Sequence, residues 1–159
     1  MNGTPSQTIG PFFSFGLDWM ENSDLVSPGS AGALELRGAV FDGDGQPVPD
    51  AMIELWQPPR FGRAFTREDG SYRFTTVKPP PGPGDQAPHV DVSVFARGLL
   101  QRVVTRIYFP DEPAANASDP VLSRISEARR VTLVAEREDG RLRFDVHLQG
   151  LRETVFFAY

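Results

Sequence analysis

Short apolar runs, each closed by a turn rich in glycine, proline or aspartate, recur along most of the chain and limit what it can fold into. The first run covers residues 34–41 and ends in Asp-Gly-Asp-Gly. Further runs follow at residues 51–56, 71–77, 89–97, 103–109, 131–137 and 141–148, and a last apolar piece lies at 154–157. Many short strands with alternating side chains favour an antiparallel sandwich over a parallel sheet with crossover helices. The sequence therefore predicts an all-β protein built as an antiparallel β-sandwich.

Three other features complete the predicted architecture. Residues 1–33 contain several glycines and prolines with no sustained period, which predicts an extended N-terminal arm ahead of a sandwich domain at 34–159. Residues 113–129 carry the one helical pattern: Val121, Leu122 and Ile125 fall on one side, and Pro120 suits a first helical turn. We expect one short peripheral helix there. Asp139-Gly140 predicts a tight hairpin turn between the last two long runs.

The composition narrows the classes of function. A chain of 159 residues, 40% hydrophobic and 23% charged, has the size and balance of a single globular domain. It contains no cysteine, which excludes disulfides, thiolate nucleophiles and thiolate-bound zinc. The formal net charge of -5 argues against a nucleic-acid partner. With neither a leader-like start nor a run of about 20 apolar residues, a cytoplasmic location is expected.

Seven motifs, in a fixed order, carry a resemblance to a known family. The first is Thr-Pro-Ser-Gln-Thr-Ile-Gly-Pro-Phe-Phe at residues 4–13, here called the opening motif. The others lie at residues 38–45, 54–57 (Glu-Leu-Trp-Gln), 76–79 (Thr-Val-Lys-Pro), 87–91 (Ala-Pro-His-Val-Asp), 105–109 (Thr-Arg-Ile-Tyr-Phe) and 144–150 (Phe-Asp-Val-His-Leu-Gln-Gly). In these segments, which span nearly the whole chain, the sequence resembles the intradiol ring-cleaving dioxygenases, especially the two-chain enzymes that cleave protocatechuate. The resemblance implies a β-sandwich fold.

The same resemblance allows the metal ligands to be checked. In the two-chain enzymes, the beta chain holds Fe(III) through two tyrosines and two histidines. Here the first histidine of the His-x-His pair is His89, but Asp91 stands in the place of the second. Residues 79–85 contain no tyrosine, and the loop after Trp56 and Gln57 is too short to carry the other one. The resemblance therefore implies an alpha-type chain with no metal ligands and no catalytic residue of its own, in which His89 is a remnant.

The resemblance also implies which residues shape the substrate pocket. Alpha chains lend the opening motif to that pocket, which here points to Thr8, Gly10 and Pro11, and an arginine near the substrate corresponds to Arg97. A glycine allows close approach to a flat ring, and a guanidinium suits the carboxylate of protocatechuate. An ordinary turn in the arm is the alternative explanation for Thr8, Gly10 and Pro11. A structural ion pair is the alternative explanation for Arg97. The implied partners are a homologous beta subunit with the iron, protocatechuate and O2, and the implied product is 3-carboxy-cis,cis-muconate.

Three alternatives stay open at this point. A non-catalytic, transthyretin-like β-sandwich binding module has the same strand pattern. A single-chain catechol or hydroxyquinol dioxygenase requires all four ligands and a helical dimerisation segment, which the sequence lacks. His89, Asp91 and His147 are two histidines and a carboxylate, a set that holds non-haem iron in other folds.

Overall fold

A computed structural model describes residues 3–10, 12–17 and 22–158. Within these ranges the chain forms nine β-strands: β1 Ala33–Phe41, β2 Met52–Gln57, β3 Arg60–Phe65, β4 Ser71–Val77, β5 His89–Phe95, β6 Val103–Tyr108, β7 Glu136–Glu138, β8 Arg141–Arg143 and β9 Val146–His147. The α-helices there are α1 Phe13–Leu17, α2 Pro113–Ser118 and α3 Glu127–Arg130, and two 3-10 helices cover Leu122–Arg124 and Val131–Leu133. None of the helices in the described ranges is long and apolar enough to cross a membrane.

The strands form two sheets that enclose the core. One sheet has the order β4-β1-β8-β7 with β9 also beside β1, and the other has the order β3-β2-β5-β6. The pairs are antiparallel except for β1 with β8 and β1 with β9, which are parallel. Fully buried side chains from both sheets meet between them, among them Val40, Phe74, Leu55 and Val92. The β-sandwich predicted from the sequence is confirmed, with one sheet of mixed rather than purely antiparallel pairing.

Most of the predicted strands agree with the structure to within two residues. The exception in the first half is β3, which the sequence interpretation treated as part of a short loop. It pairs with β2 along its whole length, from Met52 opposite Phe65 to Gln57 opposite Arg60. A glycine at position 62 weakens the strand pattern, but it leaves room for the Leu25 side chain, which an added Cβ would crowd. Pairing with β2 and contact with the arm, rather than local propensity, explain this strand.

The predicted strand at 141–148 is broken into β8 and β9. The carboxylate of Asp145 accepts a hydrogen bond from the backbone N–H of Ala39 on β1 at 3.0 Å. This N–H therefore bonds to a side chain and not to a backbone carbonyl of the neighbouring strand. Both halves still follow β1, and the Phe144 N–H donates to the Arg37 carbonyl at 2.8 Å. The predicted hairpin before it is confirmed, since β7 and β8 pair around Asp139 and Gly140, whose φ angles are 50° and 77°.

The helical region also differs from the prediction. The pattern at 113–129 forms α2, a 3-10 turn and α3 rather than one helix, and α2 starts at Pro113 instead of Pro120. The break lies at Asp119, whose extended backbone precedes Pro120. Its buried carboxylate accepts the N–H groups of Val121 and Leu122, each at 2.8 Å. Downstream, the predicted strand at 131–137 begins as the 3-10 turn Val131–Leu133, and only Glu136–Glu138 pairs as a strand.

Residues 22–25 of the arm lie across one edge of the sandwich. Asn22 forms a two-residue bridge with Arg63 of β3, and the Leu25 N–H donates to the Thr75 carbonyl of β4 at 2.8 Å. Because β3 and β4 are the edge strands of the two sheets, the arm covers backbone groups of both. The arm also contains the short helix α1, which the extended-arm prediction did not include.

Candidate functional site

The opening motif lies against the end of the four-stranded sheet. Ile9 lines a cavity of about 540 Å³ whose other walls include Phe95, Leu100, Val104 and Phe157. Thr8 and Gly10, on either side of Ile9, are exposed. No atom of the described chain lies within 4 Å of a Cβ built on Gly10, so nothing described in this chain demands a glycine there. Pro11, the third residue predicted from this motif, lies outside the described residues.

Arg97 lies in the turn that follows β5. The Leu99 N–H donates to the Ala96 carbonyl at 3.2 Å, and Gly98 has a φ of 86°, a backbone angle that favours glycine. This turn leaves the Arg97 side chain 55% exposed, with its Nε in an ion pair with the Asp50 carboxylate. The pair links the end of β5 to the residues before β2. A carboxylate partner for Arg97 therefore exists within the chain itself, as the structural alternative requires.

The two predicted parts of the pocket share one end of the sheet. Ile9 of the opening motif faces the segment Leu100 to Arg102, which continues from the Arg97 turn. His89 begins β5, whereas Arg97 follows its last residue, eight positions further along the chain. The strand covers only the residues from His89 to Phe95, so at about 3.3 Å per residue its two ends are roughly 20 Å apart. Thr8, Gly10 and Arg97 therefore cannot act with His89 of the same chain on one small molecule.

We use the term remnant site for the side chains of His89, Asp91, Gln86, Arg106 and Tyr108, which meet at β5 and β6. The composition of this site differs from that of a metal centre. His89 and Asp91 lie on the same face, with His89 Nε2 3.9 Å from Asp91 Oδ1. Arg106 stands opposite Asp91 on β6, and its Nε donates to the same carboxylate oxygen at 2.9 Å. Arg106 Nη1 donates to Gln86 Oε1, also at 2.9 Å. A guanidinium is thus held at the centre of this group.

Tyr108 completes the remnant site from β6. Its ring centroid lies 5.5 Å from that of His89, and its hydroxyl donates to the Asp119 carboxylate at 3.3 Å. Burial raises the pKa of Tyr108 to about 12, so its side chain is a neutral phenol at pH 7 and not a phenolate. The His89 ring is oriented by a 2.7 Å contact between Nδ1 and the Ala87 carbonyl oxygen. Because a carbonyl only accepts, Nδ1 carries a proton and Nε2 of the neutral ring has a free lone pair.

These residues do not fit the ferric ion that the family resemblance suggests for such a position. The donor set lacks phenolates, and Asp91 already accepts a hydrogen bond from a permanent cation, Arg106. Among the described residues, no three His, Cys, Asp or Glu side chains are close enough together to hold a metal ion. The set of His89, Asp91 and His147 is excluded, since His147 lies on β9 in the other sheet, stacked on Phe41 at 5.0 Å.

Sequence interpretation missed three residues that the structure brings into these sites. Asp50 lies in a proline-rich turn and pairs with Arg97 only because β2 and β5 are neighbours. Arg106 belongs to the motif at 105–109, but its place opposite Asp91 depends on the register of β5 and β6. Ile9 is the apolar residue between Thr8 and Gly10 in the opening motif. Its apolar side chain at this position was the signal from which its packing against the sheet could have been predicted.

Comparison with known proteins places the chain in a family. No family model matches it. It is 42% identical to the "Protocatechuate 3,4-dioxygenase alpha chain" of Burkholderia cepacia, in a match that covers 97% of this chain and 96% of the relative. The "Protocatechuate 3,4-dioxygenase beta chain" of Burkholderia cepacia is 31% identical, in a match that covers 74% of this chain and 64% of that one.

Among solved structures, the chain is similar to the dioxygenase domain of a dioxygenase and carbohydrate-binding protein fusion from Streptomyces sp. SirexAA-E. The TM-score is 0.68 at 25% identity, over 94% of this chain and 96% of that domain. Fold and sequence therefore agree, and the resemblance found in the motifs is confirmed. On an identity of 42% along almost its whole length, the chain belongs to the family of protocatechuate 3,4-dioxygenase alpha chains.

Proposed function

We propose that this chain is the alpha subunit of a hetero-oligomeric protocatechuate 3,4-dioxygenase. Its partner is a homologous beta subunit that binds Fe(III) through two tyrosines and two histidines. The complex cleaves the ring carbon–carbon bond between the two hydroxyl-bearing carbons of protocatechuate, adds one atom of O2 to each of these carbons and releases 3-carboxy-cis,cis-muconate. The alpha chain contributes the wall of the substrate pocket and part of the assembly.

The placement of Arg106 is the observation that carries this proposal. A guanidinium bonded to Asp91 and Gln86 occupies the carboxylate that stands where the family resemblance expects the second histidine ligand. A family member with such a centre requires a second chain for the metal. The beta chain of Burkholderia cepacia, which also matches this sequence, indicates what kind of chain that is.

We also propose that Thr8, Gly10, Pro11 and Arg97 line the substrate pocket at the partner's iron. Among the described residues of this set, Thr8, Gly10 and Arg97 lie near the end of β5 opposite to this chain's own remnant site, roughly 20 Å away by strand length. The Thr8 side chain is exposed and its hydroxyl can donate or accept a hydrogen bond, and the Arg97 guanidinium is exposed enough to meet the substrate carboxylate. In this proposal residues 1–33 act as the arm that reaches the partner, and 34–159 form the sandwich.

Gly10 offers a sharp test of the pocket role. Gly3 and Gly10 lie on the same arm, and at neither position would an added Cβ have a described atom within 4 Å. Gly10→Val and Gly3→Val are therefore expected to fold equally well. In the complex with the beta subunit, Gly10→Val should lower kcat/KM for protocatechuate at least tenfold, while Gly3→Val leaves it unchanged. Equal kcat/KM values for the two variants would contradict the pocket role.

Iron content tests the division of labour between the chains. The full alpha chain purified alone should contain no stoichiometric iron and show no phenolate-to-iron absorption. Co-expression with the beta subunit should give a coloured complex with one iron per alpha–beta pair and dioxygenase activity. One iron bound per isolated alpha chain would overturn the proposal.

A further inference from the structure

Three arginines occupy one cross-strand row on the outer face of the five-stranded sheet. Arg37 of β1 stands opposite Arg73 of β4 on one side and opposite Arg143 of β8 on the other. We call these three residues the arginine row. Their side chains are between 35% and 44% exposed and line a cavity of about 660 Å³. Like charges directly opposite each other in a sheet are destabilising, so this row needs negative charge close by.

The acidic side chains near the middle of the row compensate it incompletely. Arg37 Nη2 donates to Glu138 Oε2 at 3.2 Å, and Arg143 Nη1 lies 3.6 Å from the same oxygen. Arg143 also pairs with Asp145 at 2.9 Å, whereas Glu138 is the ion-pair partner of Arg37 in the described part of the chain. A guanidinium carries five N–H donors. Most donors of Arg37 are therefore available to an anion from outside.

The mouth of the cavity has the same excess of positive charge. Arg73, at the edge of the sheet, has a single contact of 3.4 Å with the half-exposed Asp24 carboxylate. Arg67, in the turn before β4, is exposed and lines the same cavity. The lining contains four arginines and three acidic residues, and one of these acids, Glu35, is already paired with Arg141 at 2.9 Å. A chain with a formal net charge of -5 thus gathers positive charge in this cavity.

The wall beside the row is small and apolar. Ala39 and Ser71 form the next cross-strand pair on this face, and their short side chains leave the space of the cavity open. Phe41, two residues further along β1, also lines the cavity. An apolar wall next to guanidinium groups suits an anion with a carbon skeleton better than an inorganic ion, because the carbon atoms leave water on binding.

The spacing of the row favours an anion with more than one charged group. Neighbouring strands lie about 4.8 Å apart, so the backbones of the outer two arginines are roughly 10 Å apart. Each guanidinium can bind a carboxylate through two parallel N–H bonds. A ligand with several carboxylates can therefore contact two or three arginines of the row at once, whereas a monocarboxylate can satisfy one.

We propose that the arginine row is a binding site for a small organic anion with two or more carboxylates. The ligand places its carboxylates on Arg37 and its neighbours and its carbon skeleton against Ala39 and Phe41. The site lies on the sheet opposite to the one that carries the remnant site. The inference concerns this chain alone and does not depend on the proposed beta subunit.

Isothermal titration calorimetry of the full chain with citrate, a tricarboxylate, tests the inference. In about 0.1 M salt, which screens long-range attraction, the wild type should bind one citrate per chain with a Kd below about 1 mM. Arg37→Gln should raise this Kd at least about tenfold, because a charge-assisted hydrogen bond is lost. Arg124→Gln removes the same charge at an exposed position on a 3-10 helix and should leave the Kd unchanged.

Two other anions test the class of ligand. Acetate has one carboxylate, and inorganic phosphate has no carbon skeleton. Both should bind at least about tenfold more weakly than citrate. Phosphate binding as tight as that of citrate would contradict the assignment to an organic anion.

Three further results would overturn the inference. One is a wild-type chain that does not bind citrate. Another is an equal Kd for Arg37→Gln and Arg124→Gln, which would indicate general attraction by positive charge. If Arg37→Gln does not fold, Arg73→Gln on the edge strand β4 takes its place with the same expected result. The third is loss of citrate binding in the alpha–beta complex, because the row would then be covered by the partner.

Discussion

Arg97 and Asp50 can be separated by mutation to decide whether the arginine serves the substrate or the fold. Arg97 is 55% exposed and Asp50 is 20% exposed, and the two side chains form an ion pair. The structural role predicts that Arg97→Ala and Asp50→Asn cause the same loss. The pocket role predicts that they differ, because Asp50→Asn leaves the guanidinium in place and frees it for a carboxylate.

The sizes of the two effects follow from this geometry. An ion pair with one partner more than half exposed contributes about 0–1 kcal/mol to stability, so either substitution should lower the free energy of unfolding by about 1 kcal/mol at most. A charge-assisted hydrogen bond to the substrate carboxylate contributes about 1.5–3 kcal/mol. At about 1.4 kcal/mol per factor of ten, Arg97→Ala should reduce kcat/KM for protocatechuate by roughly 10- to 150-fold. Asp50→Asn should leave kcat/KM unchanged or raise it by less than about fivefold.

Steady-state kinetics of the alpha–beta complex, with unfolding in urea as a parallel measurement, give both quantities. Catechol, which lacks the carboxylate, is the control substrate. Arg97→Ala should alter kcat/KM for catechol by less than about twofold, because catechol has no carboxylate for Arg97 to bind. The iron content of the complex should be the same for all variants. If Arg97→Ala and Asp50→Asn reduce kcat/KM equally, or if Arg97→Ala acts alike on both substrates, the pocket role of Arg97 is wrong.

Three further predictions concern the fold. Tyr72→Phe should lower the free energy of unfolding by about 1–2 kcal/mol in urea titrations, because the buried Phe144 carbonyl loses a donor at 2.5 Å. Gly38→Ala should cost more than about 3 kcal/mol, since its Cβ would lie 1.8 Å from the Phe144 oxygen, whereas Gly3→Ala should stay within about 0.5 kcal/mol in the same assay. Burial lowers the pKa of His147 from its usual 6.5, so the unfolded chain binds more protons and stability falls as the pH drops below that value. His147→Gln should reduce the decrease in the free energy of unfolding between about pH 7.5 and 5.5. The same dependence on pH in the variant and the wild type would refute this prediction.

The part of the fold that sequence predicts well is the part fixed by local alternation. In β5 every second residue from Val90 to Val94 is buried, so the pattern alone gives the strand and its inner face. The missed or broken elements depend on contacts between distant segments. The strand β3 exists because β2 and the arm lie on either side of it, and β8 ends because the Asp145 carboxylate binds a backbone N–H of β1.

The site follows the same division. That His89 and Asp91 share a face could be deduced from their spacing of two residues. That Arg106 meets Asp91, and that Asp50 meets Arg97, depends on strand register and sheet order, which no local pattern specifies. The placement of Thr8 and Gly10 in the pocket stays a prediction, since both are exposed in the part of the chain that the structure describes.

The separation of the two sites along β5 bears on how a pair of related chains is expected to work. In the complex proposed above, a pseudo-twofold arrangement of two homologous chains would bring the arm end of each toward the remnant end of the other. The arm of this chain would then lie at the iron of the proposed beta subunit. At the other contact the partner's arm would lie near Arg106, whose charge already occupies Asp91. Because Arg106 takes up that carboxylate, such a pair would have one metal centre for every two chains.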